Sequence, residues 1–170
     1  MEQLAQLAAR IRALEDVAEI KRLKYRYLAA CDAKDAETVR DCLLPRGAVI
    51  AYEGFPQFAD RDAFVAVFRD MACRPNIIDM HHGANPQITL TGDDTATGVW
   101  SLFFHSIDTA ARTALQMGCV YNDEYLRESG RWWISRTATR RTSFLLQTIG
   151  EDGATRVAVL GTPPDAPFGG

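Results

Sequence analysis

The chain has 170 residues, 47% of them apolar and 24% charged, with a formal net charge of −3. That length suits one domain with a full core, and the composition is that of an ordinary globular protein. The weak negative balance argues against a nucleic-acid partner, which would need a basic face, and no run approaches the roughly 20 apolar residues of a membrane span.

The chain opens with "MEQLAQLAARIRALED", which mixes charge with apolar residues and lacks the continuous apolar run of a signal peptide. Leu4, Leu7, Ile11 and Leu14 recur at steps of three and four, which predicts an amphipathic helix. Asp16 is placed to cap a second, longer helix, "VAEIKRLKYRYLAAC". After "DAKD" the pattern restarts in "AETVRDCLL" as a short helix, and "GAVIAYEG" reads as a strand between glycines. "DRDAFVAVFRDMA" follows as a third amphipathic segment behind a capping Asp60 or Asp62.

Beyond "RPN" the chain turns to β-branched and aromatic residues. "IIDMHHGANPQITLTG", "TATGVWSLFFHSID", "ARTALQMGCVYNDEYLRES" and "RWWISRTATRRTSFLLQTIG" predict long antiparallel strands, separated by the turn signals "TGDD", "DTAAR" and "ESG". Pro86 fits an edge position or a bulge in the first of them. Helices followed by a strand meander imply an α+β domain, with a strongly bent sheet wrapped around the helices to leave a cone-shaped interior. One domain over 1–150 is expected, followed over 151–170 by a short strand and a Pro/Gly-rich tail.

Three stretches can carry chemistry: "YRYLAACDAKD", "MHHGAN" and "SLFFH". Asp32 is either a solvated helix-end residue or a buried acid with a partner. His81 and His82 are adjacent on a strand, so alternation puts one inside and one out, with either choice open. Trp100, Leu102 and Phe104 should share one face of their strand, with Phe103 and His105 on the other. In "RTATRR" the arginines should split between two faces. The cysteines Cys31, Cys42, Cys73 and Cys119 form no C-x-x-C pair, which fits free thiols in a reducing cytoplasm better than disulfides or zinc. With no H-x-x-x-H on a helix and no second acidic cluster, a metal is not expected. A nucleotide-binding glycine pattern is likewise missing from the sequence, and the expected chemistry needs no cofactor.

"LEDVAEIKRLKYRYLAACDAKDAETV" resembles the opening helix of the SnoaL-like branch of the NTF2-like superfamily. "HHGANPQITLTGDDTATGVW" is similar to that branch's first long strand, with a histidine four residues before an asparagine, and "GCVYNDEYLRESGRWWISR" resembles its closing hairpin. The likeness runs from about residue 10 to 148 and implies the cone-shaped α+β barrel. Among its members, the lyases share an aspartate at the end of the long helix and a histidine on the first sheet strand. The resemblance assigns these roles here to Asp32 and His81, because His81 to Asn85 carries the pattern, and it turns His82 outward. It implies a cofactor-independent lyase on a small hydrophobic, aromatic or polycyclic molecule, a dehydratase, a related elimination or a formaldehyde-releasing C–C cleavage, with His81 as general base oriented by Asp32.

Tyr27, Tyr52 and His105 match further polar positions of those enzymes that contact substrate. On a continuous helix Tyr27 stands about 140° around from Asp32, whereas Tyr25 nearly shares its face. For a last-strand arginine no residue aligns cleanly: Thr137 falls near the place and Arg136, Arg140 and Arg141 are close in register, with Arg141 taken as the substrate contact. An isomerase or polyketide cyclase with the same dyad, and a non-catalytic cavity protein, are the alternatives. The branch also implies a homo-oligomer, a trimer before a dimer, with no nucleic-acid or membrane partner.

Overall fold

The computed structural model describes residues 1–161; the Pro/Gly-rich end of the expected tail lies outside the described residues. Three helices, α1 (Glu2–Asp32), α2 (Ala36–Cys42) and α3 (Arg61–Ala72), are interleaved with and followed by six strands. These are β1 (Val49–Tyr52), β2 (Ile77–Leu90), β3 (Thr95–Asp108), β4 (Thr113–Glu128), β5 (Arg131–Ile149) and β6 (Thr155–Gly161). The sheet order is β1-β5-β4-β3-β2. β1 runs parallel to the first half of β5, and β6 pairs antiparallel with its end. Among the described residues, no helix is long and apolar enough to cross a membrane.

The first two expected helices are one. α1 runs unbroken through Asp16, which is not a cap. Its carboxylate is buried, accepting from Arg127 Nη1 at 2.6 Å and from Trp132 Nε1 at 3.0 Å. The interruption that reads as a helix boundary is a charged residue turned into the protein, where two donors offset its desolvation. Asp60, rather than Asp62, caps α3 by accepting from the N–H groups of Asp62 and Ala63.

β2 is the sheet edge, and its pairing with β3 shifts register between Ala84 and Gln87, around Pro86. That bulge changes which residues face inward, from Asp79 and His81 before it to Ile88 and Leu90 after it. β5 carries two more irregularities, at Ser135 and Thr142. Its inward positions therefore run Trp132, Ile134, then Thr137, Thr139, Arg141, then Phe144, Leu146.

α1 lies across the concave face of the sheet and buries Ile20, Leu23, Tyr27, Leu28, Ala30 and Cys31. At Gly83 a Cβ would stand 2.5 Å from Leu28 Cδ1, so glycine lets the end of α1 approach β2 closely. The core fills one end of the cone around Trp100, Tyr125 and Ile134, and the other end stays open beneath α3.

Candidate active site

The open end of the cone is a cavity of about 630 Å³, a size suited to a ring-bearing small molecule. Its apolar wall is built from α3 and the segment before it: Phe55, Phe58, Phe64, Phe68 and Met71. Phe64 meets Phe58 and Tyr52 edge-on, at 5.7 and 5.6 Å between ring centres. The sheet supplies Leu102, Phe104, Leu115, Met117 and Leu146 opposite.

His81 lines this cavity from β2, and its Nδ1 lies 2.6 Å from Asp32 Oδ1. The backbone N–H of His81 also donates to both oxygens of Asp32, at 3.0 and 3.1 Å. A carboxylate that takes three contacts from one residue fixes that residue's ring. Burial pushes the Asp32 carboxyl up, but the bonds from the His81 ring and backbone outweigh this and hold it below the usual carboxylate range. An ionised Asp32 can only accept, so Nδ1 carries a proton, and in the neutral ring this leaves the lone pair on Nε2. The ring packs against Phe104 with centres 4.6 Å apart.

The two groups differ in their exposure to water. The His81 side chain is 15% exposed, whereas that of Asp32 is 31% exposed and does not line the cavity. Asp32 is the last residue of α1 and reaches β2 from outside the pocket. This resolves the awkward helix geometry. Tyr27, about 140° away on the same helix, points into the cavity floor and is 1% exposed, while Tyr25 is left 46% exposed.

Tyr27 and Tyr52 share a hydrogen bond of 2.6 Å between their hydroxyls, and Tyr121 packs edge-on to Tyr52 with centres 5.9 Å apart. All three line the cavity. Burial pushes the three phenols above their ordinary values, so they stay neutral donors at physiological pH. Cys31 and Cys119 also line the pocket; burial raises their thiols to about 12 and about 11, which makes them poor nucleophiles.

Arg141 is the last-strand arginine that enters the cavity, 6% exposed. Arg136 and Arg140 fall on the other side of the pleat. The Glu53 carboxylate accepts the Arg141 backbone N–H at 2.5 Å, and the Arg141 guanidinium lies flat enough against Gly54 that a Cβ there would come within 3.0 Å of Nη2. His105 is the expectation that fails. Its neighbours Phe104 and Ser106 line the cavity, so pleating sends the His105 side chain to the outer face. His82 is exposed there too.

Other residues of the site escape a motif reading. Asp79 lines the mouth two positions from His81 and pairs with Lys34, which holds a left-handed backbone (φ 59°) just past the end of α1. The positive charge of Lys34 is a further reason that Asp32 stays ionised. Beneath the tyrosine floor, Lys24 and Asp123 form an ion pair of 2.8 Å with both side chains fully buried. Lys24 Nζ also stands 3.5 Å over the Tyr121 ring. Tyr125 donates to Asp123 Oδ2 at 2.8 Å, and Trp100 Nε1 donates to the Tyr125 hydroxyl at 3.0 Å. Spacing carries a signal for both ends of the pair: Lys24 shares a helix face with Ile20 and Tyr27, and Asp123 alternates with two inward tyrosines. Among the described residues, no group of three or more His, Cys, Asp or Glu is placed to hold a metal ion.

Solved structures share this architecture at low identity. A type 2 hexachlorocyclohexane dehydrochlorinase (LinA) superposes with a TM-score of 0.73 at 16% identity, over 91% of this chain and 98% of that one. A scytalone dehydratase-like protein from Novosphingobium aromaticivorans gives 0.73 at 17% identity, over 94% and 97%. ActVI-ORFA from Streptomyces coelicolor gives 0.63 at 13% identity, over 74% and 96%. These likenesses establish the fold, and the sequence itself goes further: residues 12–138 match the SnoaL-like domain, so the chain belongs to the SnoaL-like family of the NTF2-like superfamily.

Proposed function

We propose that the protein is a cofactor-independent lyase that eliminates a group from a small, hydrophobic, ring-bearing substrate, with His81 as general base. The observation that carries this reading is the 2.6 Å contact between Asp32 and His81 Nδ1 at the edge of an aromatic-walled cavity. Asp32 selects the tautomer and stabilises the imidazolium once it forms, which leaves Nε2 to accept the proton. A proton passes from a substrate carbon to Nε2, the electron pair of that C–H bond becomes the new π bond, and the group on the neighbouring carbon departs with its own pair. Tyr27, Tyr52 and Arg141 are the donors available to that developing negative charge. Positioned proton transfer is worth about 10² to 10⁴ in rate, with orientation in the pocket supplying more.

Names given to the structural neighbours, a dehydrochlorinase and a dehydratase-like protein, agree with elimination chemistry. The test compares the parent with His81→Gln on a panel of aromatic alcohols, halides and ketones in deuterated water. Turnover with deuterium entering one carbon, lost in the variant at an unchanged melting temperature, is the expected result. Binding that is equal in both proteins, with no turnover by the parent, would make this a cavity protein without catalysis.

A further inference from the structure

The first half of α1 is an unpartnered element. From Met1 to Glu15 every residue but Ala13 is exposed, including Leu4, Leu7, Ile11 and Leu14 at 72, 52, 47 and 71%. The docked half of α1 nucleates this extension, but its exposed leucines gain nothing from the domain, and a partner would bury them. That partner is not the chain's own domain. At about 100° per residue the four apolar side chains project to one side, and the buried set centred on Ile20 and Tyr27 projects about 180° away. The apolar stripe changes sides near Asp16, so no bend of the helix onto its own sheet covers it.

We propose that residues 1–15 pair with the same segment of a second copy of this chain as a short, parallel, two-stranded coiled coil. The steps between the four apolar residues are three, four and three, which places Leu4 and Ile11 at a positions and Leu7 and Leu14 at d positions. Of the two a positions Ile11 is β-branched, and with leucine at both d positions it favours two strands. The flanking charges choose the direction. In a parallel pair Arg10 at g meets the partner's Glu15 at e, twice by symmetry. An antiparallel pair that faces Leu7 with the partner's Ile11 would set Arg10 against the partner's Arg10. Neither Arg10 nor Glu15 takes part in an ion pair among the described residues. The next d position is Lys21, whose like charges end the seam. The domain attaches to the opposite helix face, so the seam and the domain do not compete for the same side of α1.

Light scattering and sedimentation equilibrium on the full chain, from about 1 to about 100 μM, cover the range in which a small interface dissociates. The parent is expected to form dimers in that range. Leu7→Glu with Leu14→Glu changes only exposed positions, so it should give monomers with the same melting temperature and aromatic circular dichroism. Arg10→Glu and Glu15→Arg should each weaken the dimer severalfold, and the two together should restore it. A monomeric parent, an assembly that survives the leucine changes, a trimer, or charge variants that do not rescue one another would overturn the proposal. Turnover plays no part in these readouts, so the outcome is separate from the catalytic reading.

Discussion

Asp32 and Lys24 stand about two turns apart on α1, and each holds one partner on the sheet: His81 for the first, Asp123 for the second. The two pairs have similar lengths, 2.6 and 2.8 Å, and opposite surroundings. Neither Lys24 nor Asp123 has any exposed side chain, and their neighbours Tyr125, Trp100 and Tyr121 close around them. Asp32 and His81 remain in touch with water on one side and with the cavity on the other. A base must gain and lose a proton in each cycle, which needs a partner that is ordered and a route that is open. A sealed ion pair has the order without the route, and its strength goes into fixing the floor on which Tyr27 and Tyr121 rest.

The difference can be broken from either side. His81→Gln should lower turnover by about 10² to 10⁴ and shift the melting temperature little, as judged by steady-state rates beside a thermal melt. The buried pair should answer the other way. Lys24→Ala or Asp123→Ala leaves an uncompensated buried charge and should cost about 3–5 kcal/mol in urea unfolding. Replacing both at once, Lys24→Met with Asp123→Leu, should recover most of that loss, because the desolvation cost disappears with the charges. Tyr125→Phe removes one donor to Asp123 and the acceptor of Trp100, for a smaller loss of about 1–3 kcal/mol.

The smallest effect belongs to the dyad's contribution to folding. The Asp32 carboxyl is depressed in the folded protein, so its stabilising share is complete above the ordinary carboxylate value near 4 and fades as pH falls through the folded value. Because the carboxylate keeps 31% of its side chain in solvent, which screens the pair, that share should be under about 1 kcal/mol. Asp32→Asn should therefore flatten the acid limb of the stability curve slightly while abolishing most turnover. Lys34→Gln should move the Asp32 titration upward, read from its side-chain carbon resonance, since a nearby positive charge is gone.

Much of this arrangement is legible in the chain before folding. The strand meander, the bent sheet and the pairing of Asp32 with His81 follow from periodicity and from the family resemblance. What sequence periodicity loses is parity. One bulge in β2 and two in β5 change which residues face inward, and this is why Arg141 could not be separated from Arg136 and Arg140 by counting. His105 shows another limit: alternation sets it opposite Leu102 and Phe104 without saying which face is inner, and the likeness to other enzymes counted it among the substrate contacts. Asp16 misleads for a third reason, since a charged residue at a break in the apolar pattern reads as a helix cap unless its partners, far along the chain, are known.

The orientation of the His81 ring by Asp32 can be measured without a substrate. Nitrogen-15 resonances of the neutral histidine ring, recorded at a pH where it is deprotonated, should show the proton of His81 on Nδ1, with Nε2 bare, and Asp32→Ala should abolish that preference. A proton found on Nε2 in the parent, or a tautomer indifferent to the loss of Asp32, would contradict the account.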